Sequence, residues 1–170
     1  MTRAACLVDS PVGNLLLVSE GTALRNLCFH DDWSQSIEFL RREFGEARVI
    51  RDAVPSSIVD AVRSYFDGDV ACLDALQVLT RGTEFQVSVW RALRELKAGD
   101  TCSYGELARR LSNPGAVRAV GAANGRNPIP IVIPCHRVIA SDGSLHGYGG
   151  GLHRKRWLLQ HETRQHSLFV

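Results

Sequence analysis

The sequence predicts an α+β protein in two parts: an antiparallel sheet with helices over 1–79, and a mostly helical part with a helix-turn-helix over 80–170. Three observations predict it. Short apolar runs alternate with turn residues through the first thirty positions, the signature of an antiparallel meander. Later segments carry apolar residues at helical spacing. The charge balance also reverses between the parts. Residues 1–79 hold 7 basic and 12 acidic side chains, a balance of −5, while residues 80–170 hold 13 and 6, a balance of +7.

Taken in order, Ala4–Val8, Leu15–Val18 and Leu24–Phe29 read as strands. Turns at Ser10–Gly13 and Glu20-Gly21 separate them, because glycine and proline accept the backbone angles that reverse a chain. Ser34–Phe44 places Ile37, Leu40 and Phe44 on one helical face. Ser56–Phe66 does the same with Ile58, Val59, Val62, Tyr65 and Phe66, between Pro55 and the stop signal Asp67-Gly68. No chemistry is evident in this half. Gly82-Thr83 marks a joint. Phe85–Leu96 follows as an amphipathic helix through Val89, Trp90, Leu93 and Leu96, and Gly99-Asp100 ends it. Ser103–Leu111 opens with Ser103 and Glu106 at capping-box spacing. Asn113, Pro114 and Gly115 make a turn, and Ala116–Ala123 is a small-residue helix. A helix, a tight glycine-containing turn and a second helix outline a helix-turn-helix. Ile129–Ile133 is an apolar run closed by Pro134, and Lys155–Glu162 reads as a final helix with Trp157, Leu158 and Leu159.

Several function classes fall away. No apolar run approaches the ~18 residues of a membrane helix. The N-terminus meets Asp9 early and lacks the long apolar core of a secretory signal, which points to the cytoplasm. The five cysteines, at 6, 28, 72, 102 and 135, form no C-x-x-C and are odd in number, which argues for reduced thiols. The basic second half suits an anionic partner, with nucleic acid the obvious one. Solvated surface charge is the plain alternative.

Cys135 is the residue where chemistry is expected. Most buried cysteines are small hydrophobes. Here His136 is adjacent, Arg137 makes the local charge positive, and Pro134 sets an irregular backbone, all of which favour a reactive thiolate. Adjacent side chains of an extended chain point to opposite sides. His136 can therefore draw the Cys135 proton only through a water or after a sharp backbone turn, and it needs an orienting carboxylate. Several acids are available, and the residues by themselves leave the choice open.

The segment Pro134-Cys135-His136-Arg137-Val138 resembles the active-site signature of the 6-O-alkylguanine-DNA alkyltransferases (methylated-DNA–protein-cysteine methyltransferases), in their bacterial single-function form. The resemblance extends to Ser103-Tyr104, Asn113-Pro114, Arg118-Ala119-Val120-Gly121, Asn127-Pro128, Gly147-Tyr148-Gly149-Gly150 and Trp157-Leu158-Leu159-Gln160-His161-Glu162. It runs at matching spacing from about Phe85 to Glu162. The first half is similar only in its order of elements and in Asp9-Ser10-Pro11-Val12-Gly13.

The resemblance implies a ribonuclease H-like sheet domain over 1–79, giving support, and a DNA-binding and alkyl-transfer domain with a winged helix-turn-helix over 80–170. It implies a monomer that needs no cofactor and acts once on double-stranded DNA containing 6-O-alkylguanine. The damaged base would be flipped into a pocket. Cys135 would be the nucleophile, His136 its base through a water, and Glu162 the carboxylate orienting His136. Tyr104 would donate to guanine ring nitrogen 3, and Asn127 would brace the backbone. Arg118 would fill the vacated base position, while Asn113 and Ser141 would approach the DNA backbone. Val138 and Gly149 would offer backbone groups to the base, and Tyr148 would wall the pocket.

Three departures from the family pattern carry expectations. Cys6 and Cys28 miss the offsets of the zinc site found in some relatives, so no structural zinc is expected. Arg126 stands one place after Gly125, where some relatives carry a phosphate-contacting arginine. Gly149 replaces a serine of some members, which implies room for alkyl groups larger than methyl. The competing function is a non-enzymatic helix-turn-helix protein that binds DNA or senses alkylation. Sensors of this fold lack the cysteine, and regulators carry an added cysteine-rich metal module, which this sequence lacks.

Overall fold

The computed structural model describes residues 3–30, 33–45 and 49–168, which divide into two compact units, Met1–Leu79 and Thr80–Val170.

In the first unit, strands β1 (Arg3–Val8), β2 (Leu15–Glu20) and β3 (Ala23–Phe29) pair antiparallel in chain order. A short strand β4 (Val49–Arg51) joins the free edge of β1 in parallel, so the sheet is mixed and ordered β3-β2-β1-β4. Three residues are too few to show the alternation from which strands are read, which is why β4 left no sequence signal. Helix α1 (Trp33–Phe44) covers one face of the sheet, where Ala5, Leu16, Val18 and Leu40 form a buried cluster with Leu7, Cys28 and Phe39 packed against it. Helix α2 (Ser56–Asp67) buries Ile58, Val62 and Tyr65. It ends at Gly68 in the left-handed conformation (φ 115°), where the glycine N–H caps carbonyls of the last turn. The segment ending the unit returns to β3, where Leu24 N–H donates to Gln77 O and Leu79 N–H to Leu24 O, both at 2.9 Å.

In the second unit, α3 (Glu84–Arg94) buries Val89, Trp90 and Leu93. Thr83 caps it through a full capping box with Gln86. A Cβ on Gly82 would lie 2.7 Å from the Trp90 ring, so the joint residue is a glycine for lack of space. Strand β5 (Cys102–Ser103) leads directly into α4 (Tyr104–Arg110), whose N-terminus carries the expected box: Glu106 N–H donates to Ser103 Oγ at 3.1 Å and Ser103 N–H to Glu106 at 2.6 Å. A turn with Ser112 at φ 55° connects α4 to α5 (Val117–Gly125). Both helices lie against α3, completing the helix-turn-helix. Strand β6 (Val138–Ile139) pairs in parallel with β5, and α6 (Leu152–Leu168) closes the unit. Among the described residues, no helix is long and apolar enough to cross a membrane.

Candidate active site

Residues 127–139 approach the site as a series of tight turns. Ile129–Ile133 is not extended: Ile133 N–H donates to Ile129 O at 2.8 Å, and Ile131 takes a φ of 74°. A β-branched residue in that region is strained by about 1–3 kcal/mol and needs its surroundings to hold it. Asn127 does so from both ends. Its Oδ1 accepts from Ile129 N–H at 3.0 Å and its Nδ2 donates to Ile133 O at 2.7 Å. Asn127 thus has the geometry of a backbone brace.

Immediately after Pro134, residues Cys135–Arg137 form a single 3-10 turn. This is the sharp turn that adjacency of Cys135 and His136 requires, and all three side chains are buried. The turn sends His136 and Arg137 toward α6. A hydrogen bond of 2.8 Å joins His136 Nε2 to Glu162 Oε1. Arg137 forks onto the same carboxylate, Nε to Oε2 and Nη2 to Oε1, each at 2.9 Å, and its Nη1 donates to Leu96 O at 2.6 Å. Among the described residues, Glu162 is the acid that meets His136. Burial alone would raise its carboxyl, but the His136 and Arg137 contacts hold it well below the usual carboxylate range.

A carboxylate can only accept, so His136 Nε2 carries the hydrogen and Nδ1 is the basic nitrogen. Nδ1 is buried and has no hydrogen-bond partner. Burial also lowers the imidazole pKa, against the pull of Glu162, so the ring is held neutral. A neutral imidazole with one nitrogen fixed and the other unengaged is arranged to accept a proton.

The electrostatics at sulfur differ from the sequence reading. Arg137 does not activate Cys135, because its guanidinium is spent on Glu162 and Leu96. Burial pushes the Cys135 thiol up to about 11, while a hydrogen bond from Asn127 and the Lys155 charge pull it back. Burial pushes Cys28 up to about 12 and Cys6 and Cys72 to about 11. Cys135 is therefore distinguished by the imidazole beside it rather than by a resting thiolate.

Two further residues reach the site without having been singled out from sequence. Lys155 is fully buried, and its Nζ donates to Val138 O at 2.7 Å and to His146 O at 3.1 Å, tying β6 to the loop after it. Lysine is almost never buried unless paired, so no pattern in the sequence announces this one. Asn124, on α5, donates from Nδ2 to Cys135 O at 3.4 Å.

The other expected residues separate into two groups. Tyr104 is half-buried at the start of α4. Burial raises its hydroxyl pKa, the nearby Cys135 adds to this, and Asn124 opposes it through a hydrogen bond. The Tyr148 hydroxyl is buried, and burial raises its pKa well above the usual phenol value, with Cys135 adding to the rise. Val138 is buried at the end of the turn. Gly149 is exposed, and a Cβ there would meet nothing within 4 Å. Arg118 on α5, Asn113 in the interhelical turn and Ser141 after β6 are all exposed. Ser141 lines an open cleft of about 470 Å³ with Ser103 and Arg109. Arg126 is exposed just past α5. Cys6 and Cys28 lie on opposite faces of the sheet, since Cys6 pairs with Leu17 and Cys28 with Leu16. Among the described residues, no group of three or more His, Cys, Asp or Glu could hold a metal ion.

Comparison with known proteins agrees over nearly the whole length. Residues 84–164 match the profile of the 6-O-methylguanine DNA methyltransferase DNA-binding domain, and residues 5–80 that of the ribonuclease-like domain of the same proteins. The chain is 45% identical over 159 residues to the methylated-DNA–protein-cysteine methyltransferase of Salmonella typhimurium, covering 91% of this chain and 92% of that one. Among solved structures it is similar to Mycobacterium tuberculosis OGT in complex with DNA, with a TM-score of 0.79, 40% identity and coverage of 95% and 94%. It is also similar to the O6-methylguanine-DNA methyltransferase of Pyrococcus kodakaraensis, with a TM-score of 0.70, 27% identity and coverage of 94% and 98%.

Proposed function

The chain belongs to the 6-O-methylguanine DNA methyltransferase family, and from that premise we propose that it repairs double-stranded DNA by transferring the alkyl group of 6-O-alkylguanine to Cys135. The observation that carries the assignment to Cys135 is the buried His136–Glu162 pair, which ends in an unengaged Nδ1 one residue from the thiol.

The reaction follows from these groups. Cys135 is only 5% exposed, so a guanine stacked in a duplex does not reach it and must be turned out of the helix. The thiol proton passes through one water to His136 Nδ1, and Glu162 stabilises the imidazolium formed. Sulfur attacks the alkyl carbon in line, and the sulfur–carbon bond forms as the carbon–oxygen bond breaks. The bonding electrons remain on guanine, where the Tyr104 hydroxyl, donating to ring nitrogen 3, meets the developing charge. The proton taken from sulfur balances the guanine that leaves. A thioether does not hydrolyse, so each molecule acts once. No step calls for a metal or an organic cofactor.

Arg118, Asn113 and Ser141 project from the helix-turn-helix and the turn after β6, where a basic surface can follow phosphates and fill the vacated base position. Val138 and Gly149 offer backbone groups to the base and Tyr148 walls the pocket, with Asn127 bracing the backbone around it. Residues 80–170 carry binding and transfer, residues 1–79 support them, and the protein works as a cytoplasmic monomer.

Incubation with excess oligonucleotide bearing 6-O-methylguanine tests this. The expected result is one added methyl, on the peptide containing Cys135, with no further turnover. Cys135→Ala abolishes transfer and leaves DNA binding largely intact. An unchanged mass, or repeated turnover, would defeat the assignment.

A further inference from the structure

Asn124 has no part in the mechanism above, yet it is 5% exposed and sits against the reacting residues. Its Nδ2 donates to Cys135 O at 3.4 Å. A carbonyl can only accept, so this contact fixes which end of the amide faces the site. The other end, Oδ1, is buried and has no hydrogen-bond partner. A buried polar group left half satisfied is costly, and an apolar side chain of the same size would serve the core better. Such a group calls for a functional reason.

The neighbouring packing supplies one. The Tyr104 ring lies along the same face of α5: a Cβ on Gly121 would sit 3.9 Å from two of its ring carbons. Asn124 is three residues further on, the next position along that face. There its amide faces the Tyr104 hydroxyl and opposes the rise in the phenol pKa that burial causes, as a donor to the phenol oxygen does. We propose that Asn124 is a positioning residue for Tyr104: its amide N–H occupies a lone pair of the phenol oxygen, so the phenol's own hydrogen is turned toward ring nitrogen 3 of the inserted guanine. A hydroxyl free to rotate would give that hydrogen to any acceptor in reach, water included. Donation from Asn124 also makes the phenol a better donor at the moment guanine leaves. The inference rests on the proposed alkyl transfer and adds to it the residue that aims the donor.

Single-turnover transfer rates in four proteins test it: wild type, Tyr104→Phe, Asn124→Leu and the double variant, on duplexes containing 6-O-methylguanine or its 3-deaza analogue. On 6-O-methylguanine, Asn124→Leu slows transfer by about tenfold, the worth of one well-aimed hydrogen bond. The double variant is no slower than Tyr104→Phe, because residues acting through one another are not additive. On the 3-deaza substrate, which lacks the acceptor, Asn124→Leu matches wild type. Full additivity, or an equal slowing on both substrates, overturns the inference. If Asn124→Leu does not fold by circular dichroism, the isosteric Asn124→Asp decides. Its carboxylate takes the phenol hydrogen, so transfer slows on 6-O-methylguanine only, and the same ratio on both substrates overturns the idea. Wild-type transfer with indifferent Asn124 variants defeats this inference alone. A wild type that leaves Cys135 unmethylated defeats the proposed function and this inference with it.

Discussion

Glu162 holds both His136 and Arg137, and its replacement separates their roles. In Glu162→Gln, Arg137 becomes a buried cation without its counter-charge, and removing one partner of a buried pair typically costs about 3–5 kcal/mol. We expect a lower melting temperature, and slower transfer because His136 loses the carboxylate that stabilises its protonated form. The pH dependence follows from the signs. The Glu162 carboxyl is depressed in the folded chain, so its contribution is complete above the unfolded carboxylate pKa of about 4.3 and is lost as pH falls below it. The His136 pKa is also lowered, so the unfolded chain binds its proton first, and stability falls from about pH 6.5 downward. Both terms act in the same direction. Denaturant melts of the wild type between pH 7 and 4 should show stability falling with acidity, with a smaller decline below pH 5 in Glu162→Gln. At Gly149 the question is space. A Cβ there meets no atom within 4 Å, so Gly149→Ser can fold without strain while adding bulk beside the pocket. Repair of a benzyl adduct should slow relative to a methyl adduct, and an unchanged ratio of the two rates counts against a pocket opened by this glycine.

At the scale of elements, the site depends on where α4 begins. The pairing of β5 with β6 sets Ser103 beside Ile139, and the capping box then starts α4 at Tyr104. Ser103→Ala removes the acceptor for Glu106 N–H and should cost about 1 kcal/mol. Because Tyr104 is the first helical residue, the same change should slow transfer more than the lost stability explains. Thermal melts and single-turnover rates measured together check this. The α4 box was legible from Ser103 and Glu106 at their spacing. The box that starts α3 was not singled out, although Thr83 and Gln86 have the same spacing. The β4 strand and the β5–β6 ladder were not legible, because two or three residues carry no period.

At the scale of the whole molecule, the +7 balance of residues 80–170 against −5 in residues 1–79 concentrates the attraction for DNA in one unit. Binding should weaken with salt, the logarithm of affinity falling linearly with that of salt concentration by about 0.9 per phosphate neutralised. If Arg118 occupies the base stack, Arg118→Ala should slow repair while leaving the salt slope little changed. A slope reduced by about 1 would assign it to a phosphate instead. The sequence by itself determined the two-part division of charge, the helical periods, the capping box of α4 and the motif around Cys135, because these are local in the chain. The residues by themselves left open which acid meets His136; the resemblance implied Glu162, and only the tertiary structure brings it there, since α6 carries it to the 3-10 turn from 26 residues away. The tertiary structure alone revealed the buried Lys155 and Asn124, and showed that the charge of Arg137 belongs to Glu162 and not to the thiol. The physical reason is common to all of these. The role of a polar side chain is set by which partner it finds once water is excluded, and that partner is chosen by packing between distant segments.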